Sequence, residues 1–179
     1  AGRHVQLVAG GGTNTPALLV GTESGLDRAG FESAARPVAP APGARAVNVS
    51  RIATAGPVTA IATADGVFLS RDGQPWQRLG GLVPTGPAFS VAVQQRGEGI
   101  ECWAVIRGQL WRVALRAVGA ATPLSGSVFE QTSFRQTVFR QTSASPVELP
   151  FGPGGRDAVD IALDIDGAEI VVVYASAIV

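Results

Sequence analysis

An all-β fold of short antiparallel strands is what this sequence predicts, on three observations. Apolar residues make up 46% of the 179-residue chain, yet 23 Gly and 12 Pro interrupt them too often for long helices. The apolar runs are short, rich in β-branched residues, and bounded by hairpin signals such as Gly56-Pro57, Asp65-Gly66 and Asp72-Gly73. The same order of strand, turn and strand also recurs along the chain. At 18.3 kDa, residues 1–179 read as a single domain.

The first unit spans about residues 4–35. His4-Val5-Gln6-Leu7-Val8-Ala9 alternates loosely, a Gly-rich loop follows, and Pro16 to Thr22 resumes an apolar run, so two strands form a hairpin. Glu23-Ser24-Gly25 turns the chain into Leu26–Gly30, and Phe31-Glu32-Ser33 begins a short outer strand. A Pro/Ala-rich connector, Arg36 to Arg45, closes the unit.

The second unit, about 46–80, offers four strands: 47–55, 58–63, 67–70 and 76–79. The third, about 88–117, offers 89–94, 100–106 and 110–115, joined by Arg96-Gly97-Glu98-Gly99 and Arg107-Gly108. Residues 118–156 break the rhythm as an insertion. It contains the five-residue echo Phe129-Glu130-Gln131-Thr132, Phe134-Arg135-Gln136-Thr137, Phe139-Arg140-Gln141-Thr142, which reads as a long loop or an irregular outer strand pinned by Phe. Phe129, Phe134, Arg135, Phe139 and Arg140 are its candidate interaction residues, since insertions in repeat proteins gather on the binding face. The fourth unit, about 157–179, holds 158–163, an Asp-Gly turn, and 169–175, after which a third strand only begins.

Setting Gly25, Gly66 and Gly108 in register gives separations of 41 and 42 residues, the length of a four-stranded propeller blade. The expected architecture is therefore a β-propeller fragment of about three and a half four-stranded antiparallel blades. Such a fragment leaves sheet faces open, so another polypeptide, a cleaved partner chain or a second copy, is expected to complete the ring.

Within the second unit, Gly66-Val67-Phe68-Leu69-Ser70-Arg71-Asp72-Gly73-Gln74-Pro75-Trp76 resembles the Asp-box of sialidase/BNR-type β-propellers. Ser70, Asp72 and Trp76 stand at that family's spacing, whereas Gln74 takes the usual glycine's place and Gly73 precedes it. The resemblance implies structural roles for Ser70, Asp72, Gly73 and Trp76 at the hairpin between the last two strands of a blade, away from any catalytic face. A family arginine set and an Arg-Ile-Pro segment are also implied by a sialidase reading, but Arg51-Ile52 is followed by Ala53.

The 14 basic residues are all Arg and balance 14 acids, which gives no electrostatic case for nucleic acid. The distribution is uneven: residues 157–179 hold five acids and no Arg, a solvated acidic hairpin or a contact for an Arg-lined partner. No apolar window is long enough for a membrane span. The single Cys102, flanked by apolar residues, reads as a buried hydrophobe and favours a reducing, cytoplasmic setting. The chain starts at Ala1 and has no Met, which reads as a processed product or fragment, so export stays open.

Chemistry-bearing patterns are sparse. One His and one Cys do not make a zinc site, and no cofactor motif is present. No Gly-x-Ser-x-Gly elbow accompanies His4, which reads as a surface or strand-end residue. The run Gly10 to Thr13 lacks a phosphate loop's Lys. Asp164-Ile165-Asp166-Gly167 reads as a hairpin turn, and Asp160 with Asp164 or Asp166 as a polar strand edge. The expected function is a non-catalytic scaffold for protein interaction or assembly. Its alternative is glycan binding or processing, with Trp103 and Trp111 as candidate stacking platforms.

Overall fold

The structure is a computed structural model and describes residues 2–8, 17–30, 33–38, 48–71, 74–119, 137–147, 158–163 and 169–174. The described chain is all-β, with antiparallel sheets throughout and no helix among those residues. β1 (Gly2–Val8), β2 (Ala17–Thr22), β3 (Gly25–Gly30) and β4 (Ser33–Val38) form the first sheet in that order. β5 (Arg51–Ala55), β6 (Val58–Thr63), β7 (Gly66–Arg71) and β8 (Gln77–Arg78) form the second. β9 (Ala88–Arg96), β10 (Gly99–Ile106), β11 (Gln109–Gly119) and β12 (Thr137–Pro146) form the third. β13 (Ala158–Leu163) and β14 (Ile170–Tyr174) pair as a fourth, two-stranded sheet.

Each sheet is a meander of neighbours in sequence, and two-residue turns join β2 to β3, β5 to β6, β6 to β7, β9 to β10 and β10 to β11, for which antiparallel pairing is the short route. Arg107 and Gly108 both take positive φ (53° and 77°), the backbone of a two-residue hairpin that twists with its strands. The matching turns are Glu23-Ser24 and Ala64-Asp65, followed by Gly25 and Gly66 as the first residues of β3 and β7. In the third sheet that place belongs to Gln109, and Gly108 lies inside the turn. The glycine register read from sequence is therefore one residue out in the third unit.

Two other boundaries differ from the sequence reading. β4 takes in Arg36, Pro37 and Val38, which the composition assigned to a connector. The strand expected from residue 47 begins at Arg51, because Asn48 takes φ 61° and the amides of Asn48 and Val49 bond the Glu23 and Thr22 carbonyls of the first sheet. Part of the 118–156 insertion is also strand: β11 continues to Gly119, and β12 pairs with it as the outermost strand of the third sheet.

Apolar faces stack the sheets in chain order. Leu19 and Leu26 of the first sheet pack with Ile52, Ile61, Phe68 and Trp76 of the second. Val58, Ala60, Ala62, Val67 and Leu69 on the second sheet's other face meet Val91, Val93, Ile100, Cys102, Ala104 and Val113 of the third. Ala92, Val105 and Leu110 on the far face of the third meet Ile161 of β13. The second sheet is thus buried on both faces, which is why its strands read as nearly unbroken apolar runs. The first strands also follow one another: β1 packs on β5, β5 on β9, and β9 on β13.

Candidate functional site

Three of these first strands carry one extra residue near their start. Register shifts place Arg3 in β1, Phe89 in β9 and Val159 in β13 opposite no partner of their own. The residue after each bulge is polar and the next is Val or Ile: His4-Val5, Ser90-Val91 and Asp160-Ile161. Arg51-Ile52 opens β5 with the same pattern, and the Ser50 amide reaches the carbonyl of Ala62, which stands opposite Arg51. Ile52, Val91 and Ile161 are buried and anchor their strands, which leaves the polar residue beside each on the other side.

Three of these polar residues, Arg51, Ser90 and Asp160, meet. Ser90, fully buried, donates from Oγ to Asp160 Oδ1 at 2.5 Å, and the Ile161 amide donates to the same carboxylate oxygen at 2.8 Å. Arg51 Nη1 stands 3.6 Å from Asp160 Oδ2, an ion pair too long for a hydrogen bond, and both side chains are partly open to solvent. The group therefore joins β5, β9 and β13, with a guanidinium and a carboxylate edge facing water. Phe89, thrust outward by its bulge, is 46% exposed next to Ser90. Ser50 Oγ ties the lead-in to β5 to the Ala88 carbonyl at 3.1 Å.

A second polar group lies on the third sheet. Glu101 is buried, accepts from Gln94 Nε2 at 2.5 Å, pairs with Arg96 at 3.0 Å, and receives Nε and Nη2 of Arg112 on one oxygen. Burial by itself would raise the Glu101 carboxyl. The hydrogen bonds from Gln94 and Arg112 and the charges of Arg112 and Arg96 outweigh it and hold the group below its ordinary value. The same Arg112 guanidinium lies over the Trp103 ring, 5.2 Å from its centre.

The residues singled out from sequence fall in different places. Ser70 is buried and donates to the Gln74 carbonyl at 2.6 Å, closing the path from β7 to β8. Trp76 is buried between the first and second sheets. Asp72 and Gly73 lie outside the described residues, as do Phe129, Phe134 and Arg135. Phe139 does not project: strand alternation in β12 turns it toward the core between the second and third sheets, and its amide donates to Gln77 Oε1 at 2.8 Å. Arg140, next to it, is exposed on the opposite face.

Trp111 packs, partly buried, against the core between the second and third sheets, and Trp103 against that between the third and fourth, under Arg112. Cys102 is fully buried, and burial pushes its thiol up to about 12. Among the described residues no three His, Cys, Asp or Glu side chains gather as metal ligands would, and no helix is long and apolar enough to cross a membrane.

The Arg51–Ser90–Asp160 group was not visible as a unit in the sequence. Its signal was the polar residue followed by Val or Ile at the head of every unit, which an alignment on turn glycines does not bring out. No protein-family model matches the chain, and no curated protein matches it in sequence.

Proposed function

We propose that the chain is a β-propeller component of the sialidase/BNR (Asp-box) type, used without catalysis as a scaffold for protein interaction or assembly. One observation carries this reading: the first strands β1, β5, β9 and β13 pack in chain order while each meander runs outward from them. Blades around a common axis have that arrangement. Among the described residues, two carboxylates that are not fully exposed are engaged by the fold, Glu101 by two Arg and a Gln and Asp160 by Ser90 and a backbone amide, which supports a structural use of both.

The fourth sheet has two strands among the described residues where the others have four, and Val171 on β14 is exposed. Further polypeptide, another copy or another chain, is what would cover it and close the ring. The mass of the native particle tests this reading by light scattering. A particle heavier than 18.3 kDa is expected; a folded, monodisperse monomer with a cooperative melting transition overturns it.

A second reading, glycan binding, draws on the open Arg51–Asp160 pair with exposed Phe89 beside it, an apolar ring next to donor and acceptor groups. It moves the candidate platform from Trp103 and Trp111, which are engaged in packing, to Phe89. Glycan-array binding abolished by Arg51→Ala in a folded protein would favour it over the scaffold.

A further inference from the structure

We infer that the third sheet carries a carboxylate-recognising row, Arg96–Gly99–Arg116–Arg140, and that the partner of the scaffold proposed above docks there through an acidic polypeptide segment. The inference rests on that scaffold reading and names the chemistry of the partner. Register places the four residues directly opposite one another across β9, β10, β11 and β12, hence on one face. The three Arg are exposed at the end of the face that, further along the strands, meets β13 through Ala92, Val105 and Leu110, while the other face is apolar core against the second sheet.

Two features mark this row. Arg116 stands directly opposite Arg140, and like charges so placed repel. Gly99 is the first residue of β10, next to the Gly97-Glu98 turn; its backbone is outside the left-handed region, and a Cβ there would meet only the Arg96 and Leu115 carbonyl oxygens at 3.5 Å, an ordinary contact. Neither conformation nor crowding calls for glycine. What it does is leave a lane free of side chain between Arg96 and Arg116. A like-charge pair kept on an exposed row breaks a local rule, and such a breach marks a candidate functional surface.

The chain itself shows what these guanidinium groups bind. Arg112, two residues along the face from Ala114 and four from Arg116, pairs with the Glu101 carboxylate, and Arg116 lies 3.5 Å from the 91% exposed Glu98. That last pair is solvent-screened and readily exchanged for an incoming carboxylate. Arg96, Arg112, Arg116 and Arg140 face Glu98 and Glu101, an excess of two positive charges on a chain of net charge zero. Resident carboxylates and so small an excess favour an acidic peptide over a polyphosphate, which needs a continuous run of cations.

The test is fluorescence anisotropy with the full chain and three labelled probes: poly-glutamate, poly-glutamine and a single-stranded oligonucleotide. Poly-glutamate is expected to bind in a salt-dependent way, poly-glutamine not to bind, and the oligonucleotide to bind more weakly than poly-glutamate. Affinity for poly-glutamate should fall about tenfold or more in the double variant Arg116→Gln/Arg140→Gln. Gly99→Thr, which fills the lane, should give a similar loss, with circular dichroism and melting temperature retained in at least one of the two. Equal binding of poly-glutamate and poly-glutamine, undiminished binding by a folded variant, or tighter binding of the oligonucleotide overturns the inference. Particle mass, measured alongside, separates the two readings: an assembled particle that ignores poly-glutamate loses the docking row alone, and a monomer loses the scaffold.

Discussion

Ser90 Oγ donates a 2.5 Å hydrogen bond to Asp160 Oδ1, joining β9 to β13 across 70 residues of chain. The same hydroxyl stands 3.3 Å from the Ile161 amide, which also donates to Asp160 Oδ1 at 2.8 Å. The three atoms pin the fourth sheet's first strand to the third sheet at a fully buried position. Ser90→Ala removes the hydroxyl without changing the strand, and leaves Asp160 its backbone donor and its access to water. A loss of about 1–2 kcal/mol is expected, read as a lower urea midpoint with an unchanged slope. Asp160→Asn keeps an acceptor at Oδ1 and should cost less; a Ser90→Ala protein as stable as the parent would show that the pin contributes nothing.

The contrast between what the sequence disclosed and what it hid follows from the range of each interaction. β6 and β7 were legible because a strand buried on both faces is apolar along most of its length, as 58–63 is apart from Thr59 and Thr63 and 66–69 is before Ser70 and Arg71. Two-residue turns were legible because positive φ selects Gly, as at Gly56 and Gly108. β12 was legible only as one of two alternatives, a long loop or an outer strand pinned by Phe; the edge strand with Phe139 turned inward is the second, and its bounds were hidden because the Phe-x-Gln-Thr echo has a period of five, which marks neither face of a strand. The Arg51–Ser90–Asp160 group was hidden for a similar reason. It depends on bulges in β9 and β13, and an extra residue has no signature in composition.

Glu101 makes stability depend on acid. Its folded-state value lies below the ordinary 4.5, so its contribution is fully present above that value and is lost as the pH falls through the lower, folded one. The parent should therefore hold its stability near neutrality and lose part of it on the acid side of about 4.5. Glu101→Gln should flatten that limb, because the amide does not titrate. At pH 7 the same variant is expected to cost about 1–3 kcal/mol, nearer the lower figure, since Arg112 is half exposed and can take up water. Urea midpoints across pH for the two proteins are the measurement, and parallel curves would show that another group controls the acid limb.

Cys102 has a core role with a chemical readout. The thiol is fully buried and pushed up to about 12, so the thiolate is scarce at neutral pH and shielded when formed. Native protein at pH 8 should resist a disulfide-exchange reagent and titrate as one thiol per chain only after unfolding. Cys102→Ala should be better tolerated than Cys102→Ser, which places a hydroxyl in the apolar layer between the second and third sheets. Fast native-state labelling would mean that this layer opens.

Gly21 and Val49 form the tightest joint between the first sheet and the lead-in to β5. A Cβ built on Gly21 would lie 2.7 Å from Val49 Cγ1 and 3.1 Å from Val49 Cβ, while the Val49 amide is held by the Thr22 carbonyl at 2.9 Å. Gly21 is in β2 and has no positive φ, so the need for glycine is space alone. Gly21→Ala should therefore cost about 1–3 kcal/mol, the range for overpacking a core contact. Val49 is fully buried, so Val49→Ala also costs on its own. In combination the two should cost less than their sum, because the shorter side chain at 49 removes the Cγ1 that the new methyl would strike. A double-mutant cycle in urea measures the coupling; strict additivity would place the strain at the Val49 backbone, whose carbonyl lies 3.2 Å from the same point.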